Sequence, residues 1–157
     1  MADQKIKFGL VGCGRISGKH IEAIASLYGK AELTCLCDVV EHRACNKASE
    51  YMAHLKGRIS NKNLCDNISG PAEPEADEIP AVLNAIREPR VYTDLSDMIN
   101  HEPIDVLSIC TPSGLHPVHG IMAAKKKIHV LTEKPMAVSL DMADALITAA
   151  TSGIDVR

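Results

Sequence analysis

Four short stretches of the chain are dominated by apolar residues, several on both faces: Lys5 to Val11 (KIKFGLV), Ala31 to Asp38 (AELTCLCD), Ile104 to Cys110 (IDVLSIC) and Ile128 to Thr132 (IHVLT). A strand with one wet face alternates apolar and polar side chains, so runs without that alternation belong to strands covered on both sides. Between them, apolar residues return at helical spacing. Ile16, His20, Ile24, Leu27 and Tyr28 form one such series, which Gly29 stops. A second helix is expected from about Glu41 to Leu55, closed by Gly57. A third runs from Leu115 to Lys126 with Leu115, Val118, Ile121 and Met122 inward, and a fourth, capped by Ser139, carries Leu140, Ala143, Ile147 and Ala150. A brief strand at Val91-Tyr92, a short helix to His101 capped by Asp94 or Ser96, and the start of a strand at Ile154-Asp155-Val156 complete the series. Strands alternating with helices predict an α/β fold, a doubly wound parallel sheet with helices on both faces.

One stretch breaks the rhythm. Between Arg58 and Pro80 the chain reads RISNKNLCDNISGPAEPEADEIP, rich in Asn, Ser, Pro and acids. That composition predicts a mobile surface insert over 57–88 in an otherwise single domain spanning 1–157, interrupted by a short helix from Ile79 to Ile86. A deeply buried Pro71 to Asp77 would contradict this.

The 157 residues suffice for one domain that buries roughly 70% of its unfolded surface. Net charge is −3, and the compact basic run Lys125-Lys126-Lys127 falls at a helix end, where cations suit the helix dipole, so nothing points to nucleic acid. No apolar run is long enough to span a membrane, and MADQKIK lacks the order of a signal peptide. Of six cysteines, Cys13, Cys35, Cys37 and Cys110 fall in or beside strands and the glycine turn, and no CxxC pair occurs. They read as reduced core residues of a cytoplasmic protein, with no metal site.

The first strand ends in Gly12-Cys13-Gly14, and Ser17 stands where a third glycine is often found. Gly12 would turn the chain tightly, and Gly14 would leave room for a pyrophosphate at the positive end of the next helix. The third position governs helix–strand packing, which a small serine tolerates. Asp38, at the end of the second strand, is placed to accept both hydroxyls of an adenosine ribose. Its charge repels a 2′-phosphate and Val39 and Val40 bring no positive charge, so NAD is preferred over NADP. Capping of the following helix is the plainer alternative for Asp38.

Two further segments follow later strands: TPSGLH, Thr111 to His116, and EKP, Glu133 to Pro135. Together, VGCGRISGKH, TPSGLHPVHGIMAA and HVLTEKPMAVS resemble the N-terminal domain of the glucose-fructose oxidoreductase / inositol dehydrogenase family. The resemblance spans nearly the whole chain outside roughly 57–88. Within the family, GCGRI and the TPSGLH form are most similar to bacterial UDP-N-acetylglucosamine uronic acid 3-dehydrogenases, which act in lipopolysaccharide biosynthesis.

The resemblance implies a Rossmann domain in which Gly12, Cys13, Gly14, Arg15 and Ile16 line the pyrophosphate and Asp38 holds the adenosine ribose. It further implies that Thr111, Pro112, Ser113, Leu115 and His116 border the nicotinamide half. Glu133 would reach the nicotinamide ribose, and Lys134 would stand beside the reacting carbon as the catalytic residue. Removing hydride from an alcohol requires its proton to leave too, and a lysine desolvated beside a positive charge gives up part of its preference for the ammonium form. Plainer alternatives are a solvated surface lysine for Lys134, a helix-start polar residue for His116 and an exposed salt bridge for Arg15, while His119 reads as packing. The family's substrate pocket and catalytic histidine lie in a second domain, so this chain, ending at Arg157, is expected not to turn over a sugar or nucleotide-sugar by itself. Homo-oligomerisation is expected of the family through that second domain. A non-catalytic NAD-binding regulatory module is the competing expectation.

Overall fold

The computed structural model describes residues 5–60 and 79–153. Five strands form one parallel sheet: β1 (Ile6–Val11), β2 (Ala31–Cys37), β3 (Arg90–Tyr92), β4 (Val106–Ile109) and β5 (His129–Thr132), in spatial order β3-β2-β1-β4-β5. The chain winds outward from β1 to β3, then returns to lay β4 on the other side of β1. The C-terminal end of β1 therefore lies at the switch in winding direction, where open α/β sheets bind ligands.

Both faces of the inner strands β1, β2 and β4 are buried, as their apolar runs predict, whereas in the edge strand β5 His129 and Leu131 are exposed. Helices α1 (Ser17–Ser26) and α2 (Glu41–Ser60) cover one face with Ile21, Ile24, Ala48, Tyr51 and Leu55 against Leu10, Leu33 and Leu36. The other face packs α4 (Leu95–His101) and α5 (His116–Lys125) on Val11, Cys35, Leu107 and Ile109. Adjacent residues such as Leu10 and Val11 thus enter different cores, the period-two consequence of a pleated strand. The described cysteines are free. Burial pushes the thiols of Cys13 and Cys35 up to about 12 and those of Cys37 and Cys110 up to about 11.

Several boundaries and faces differ from expectation. α2 runs through Gly57 to Ser60, because Ile59 extends the buried stripe of Ala44, Ala48, Tyr51 and Leu55 by one more turn. A glycine inside a helix costs only about 1 kcal/mol, which that burial offsets. In α1 the buried face is Ser17, Ile21, Ile24 and Ala25, whereas Ile16 and Leu27 are exposed. In α5 the inward face is not Leu115 and Val118, both exposed, but His116, Pro117, Gly120, Ala123 and Ala124. Small residues face inward because α6 (Leu140–Gly153) lies close: a Cβ on Gly120 would stand 2.6 Å from Cδ1 of Leu146. Leu146 is correspondingly the buried residue of α6, while Leu140 and Ile147 are exposed. Asp94 caps α4, its carboxylate accepting from the Asp97 N–H, and Ser139 accepts from the Met142 N–H at the start of α6. A seven-residue helix α3 (Ile79–Ala85) matches the expected interruption of the insert; Pro71 to Asp77, Cys65 and the strand expected at Ile154 lie outside the described residues.

The end of α5 is closed by a backbone motif. Ile128 N–H donates to the Ala123 carbonyl and Lys127 N–H to that of Ala124, with Lys127 at φ 61°. This is a Schellman closure with a lysine where glycine is ordinarily found. Lys127→Gly should raise stability by about 1 kcal/mol, the cost of a left-handed L-residue. Thermal unfolding of the two chains reads this directly.

Candidate dinucleotide-binding site

The C-terminal ends of β1, β2, β4 and β5 carry the residues singled out from the sequence. After β1, Gly12 donates its N–H to the Cys37 carbonyl at 2.8 Å and adopts φ +89°. A Cβ there would lie 2.6 Å from the backbone nitrogen of Thr111 and 2.7 Å from the carbonyl carbon of Cys110. Gly12 is therefore required by the segment following β4, which presses against it. Gly14 is different: a Cβ built on it meets nothing within 4 Å, and the residue is exposed. The open space a phosphate would need lies at Gly14.

Ser17 is fully buried, and its hydroxyl donates to the Gly14 carbonyl at 2.6 Å. The serine is more than a small substitute for glycine, since it ties the turn to the first residue of α1. Cys13 turns its thiol inward and presents its backbone, whose N–H donates to Oδ2 of Asp38 at 2.8 Å. Oδ1 of Asp38 accepts from the Val40 N–H at 2.9 Å, just ahead of α2. Asp38 thus braces the glycine turn and helps start the next helix. A carboxylate offers about four acceptor positions. Two are used here, which leaves two for the ribose hydroxyls, and the site fits a dinucleotide in this respect. Arg15 and Ile16 are exposed beside the turn, and so is Val39 beside Asp38.

After β4, Ser113–Leu115 form a single 3-10 turn, with Pro112 and Leu115 exposed and Thr111 and Ser113 half-buried. His116 is only 1% exposed, with Nδ1 2.8 Å from the Pro135 carbonyl oxygen and Nε2 2.7 Å from that of Thr111. It offers neither ring nitrogen to a ligand and instead ties the segment after β4 to the Glu133-Lys134-Pro135 turn. The Thr111 hydroxyl lies 3.2 Å from Nδ1 of His119, and burial together with the nearby His116 holds His119 below the usual imidazole range.

After β5, Glu133 continues the sheet by donating its N–H to the Ile109 carbonyl. Its Oε1 lies 2.8 Å from Nε2 of His20, and its Oε2 accepts from the Lys134 N–H at 3.2 Å. The His20 hydrogen bond, then that of the Lys134 N–H, holds the Glu133 carboxyl below its ordinary range. Lys134, joined to Pro135 by a cis peptide bond, has an exposed side chain. His20 and Ser108, whose hydroxyl lies 2.8 Å from Nδ1 of His20, were not among the residues expected at the site. The signals were present: one polar residue on an apolar helix stripe and one within an apolar strand. A separate cavity of about 430 Å³ opens at the other ends of the strands, beside Lys7, Glu32 and Arg90. None of the residues at the C-terminal ends of the strands lines it. Among the described residues no cluster could hold a metal ion, and no helix is long and apolar enough to cross a membrane.

Strand order, the glycine turn and Asp38 together define a dinucleotide-binding domain of the doubly wound class. Residues 6–153 match the family model GFO_IDH_MocA, described as an oxidoreductase family with an NAD-binding Rossmann fold. The chain belongs to that family, as its NAD-binding domain. The WlbA dehydrogenase of Bordetella pertussis, solved with NADH and UDP-GlcNAcA, is 31% identical over 96% of this chain and 35% of its own, with a TM-score of 0.66. Its counterpart from Chromobacterium violaceum, solved with the same two ligands, is 30% identical over 98% of this chain and 34% of its own, with a TM-score of 0.65. Inositol 2-dehydrogenase of Salmonella typhimurium is 23% identical over 134 residues, 85% of this chain and 30% of its own length. The chain thus spans about a third of the length of the relatives it matches.

Proposed function

We propose that this chain is the NAD-holding part of a cytoplasmic dehydrogenase acting on a sugar hydroxyl, C3 of a nucleotide-linked N-acetyl sugar uronate in lipopolysaccharide biosynthesis. The observation that carries this reading is the 31% identity, over 96% of the chain, to a dehydrogenase solved with UDP-GlcNAcA. Gly12 to Ile16 border the pyrophosphate, with Gly14 providing its space. Asp38 holds the adenosine ribose. Thr111, Pro112, Ser113 and Leu115 flank the nicotinamide half, and His116 contributes by bracing the segment rather than by touching the ligand. Glu133 takes the nicotinamide ribose.

NAD, when bound, supplies the hydride acceptor. The alcohol proton must leave as well, and Lys134 is the group at the site mouth that can polarise the hydroxyl or receive its proton. In the protein that joins this domain to a substrate domain, Lys134→Ala should lower turnover of UDP-linked N-acetylglucosaminuronate about 10²–10⁴-fold, the usual worth of positioned acid–base catalysis. Calorimetry on this chain should show NAD affinity unchanged by the same substitution. Full turnover in the variant would remove Lys134 from the mechanism.

A dehydrogenase for another sugar or an inositol uses the same site, and substrate profiling separates these readings. A regulatory NAD-binding module is the reading from a different class. The Glu133-Lys134-Pro135 turn favours the enzyme, because a sensor has no need of Lys134. Reading the gene beyond Arg157 discriminates between them: a further α/β domain carrying a histidine supports the enzyme, and an immediate stop supports the module.

A further inference from the structure

His20 links elements far apart in the chain. Its Nδ1 meets Ser108, 88 residues away on β4, and its Nε2 meets Glu133, 113 residues away after β5. Ser108 is fully buried, whereas the side chains of His20 and Glu133 retain 16% and 24% of their exposure. A carboxylate only accepts hydrogen bonds, so Nε2 of His20 carries a proton and donates it to Glu133. In the neutral ring Nδ1 then accepts from the Ser108 hydroxyl. The acceptor-only Glu133 thereby selects the Nε2–H tautomer, and the Ser108 hydroxyl, free to donate, holds the other side of the ring in place. With Oε2 held by the Lys134 N–H, the Glu133 carboxylate is gripped at both oxygens, yet about two of its four acceptor positions stay open.

A glutamate free to rotate must be ordered when a ligand arrives, and that ordering weakens binding. We propose that His20, backed by Ser108, is a positioning residue that holds Glu133 ready for the hydroxyls of the nicotinamide-side ribose. The proposal rests on the reading of Glu133 as a ribose ligand. It also joins the two halves of the site, since His20 stands on the helix that begins at the glycine turn.

The test is calorimetric titration of this chain with NAD and, separately, AMP, which reports the adenosine end alone. His20→Leu should weaken NAD about threefold to tenfold, corresponding to one side chain that must be ordered on binding. AMP affinity should stay unchanged. Because His20 acts through Glu133, adding His20→Leu to Glu133→Gln should weaken NAD no further than Glu133→Gln does. His20→Gln, which reaches Glu133 with an amide N–H, should restore affinity; His20→Asn, which is too short, should not. The Gln and Asn pair also decides the matter if the leucine variant fails to fold. Parallel loss of NAD and AMP, or multiplicative effects in the double variant, would overturn the proposal. Weakening by Glu133→Gln with no effect of His20→Leu or His20→Asn would overturn the positioning alone. No effect of Glu133→Gln would overturn the ribose reading and the positioning with it.

Discussion

Gly12→Ala should unfold a large fraction of this domain's stability margin, whereas Gly14→Ala should leave stability intact and impair only NAD binding. At Gly12 two penalties combine. A side chain at φ +89° costs about 1–2 kcal/mol, and its Cβ would sit 2.6 Å from backbone that cannot rotate away. Overpacking of that kind adds about 1–3 kcal/mol. The sum, about 2–5 kcal/mol, compares with a total of about 5–15 kcal/mol for an ordinary domain. Thermal unfolding should show a midpoint lowered by about 4–20 °C for a domain of this size. At Gly14 the added methyl meets no protein atom, so the unfolding midpoint should match the parent. NAD affinity, measured by calorimetry, should fall because the methyl occupies the approach to the backbone. An unaltered midpoint for Gly12→Ala would contradict the close approach of Thr111. Unaltered affinity for Gly14→Ala would move the phosphate site elsewhere.

Asp38→Ala should have two effects that the ribose reading by itself would not join. Removing the carboxylate strips the hydrogen-bond acceptor from the Cys13 N–H, a buried contact, and from the Val40 N–H. Bonds to a charged acceptor contribute about 1.5–3 kcal/mol each, so stability should fall by about 2–4 kcal/mol after partial rehydration of the exposed donor. NAD binding should weaken by about 10²-fold from the lost ribose contacts and the loosened turn. NADP, which the carboxylate repels, should lose less, so the preference for NAD should narrow. Paired titrations with the two nucleotides measure this ratio. An unchanged ratio would confine Asp38 to bracing the turn.

Much of this was legible in the sequence, and the reason is local. Runs such as IDVLSIC carry their burial in the pattern of residues, and the glycine turn is a short-range geometry that few residues can adopt. The order of strands and helices, Asp94 and Ser139 as caps, and the positions of Asp38, Glu133 and Lys134 at strand ends all follow from signals within a dozen residues. A helix's own sequence does not decide its buried face where a neighbouring helix packs closely. α5 offered Leu115 and Val118 as the apolar stripe, but the close approach of α6 selected the small residues Gly120, Ala123 and Ala124 instead. Gly57 read as a stop because its own propensity says so; the burial of Ile59 overrode it.

The sequence by itself determined the α/β class, the parallel strands and the presence of a dinucleotide turn, since each is set by local pattern and backbone sterics. Only the tertiary structure decided what each group at that turn does. It showed that Gly12 makes room for Thr111 while Gly14 borders open space, and that the Ser17 hydroxyl closes the turn on the Gly14 carbonyl. It turned His116 into a brace between two loops and drew His20 and Ser108 behind Glu133. These are contacts between residues three to more than a hundred positions apart, made by directional hydrogen bonds and van der Waals exclusion. Neither leaves a periodic mark in the chain, so they exist only once the sheet has brought the strand ends together.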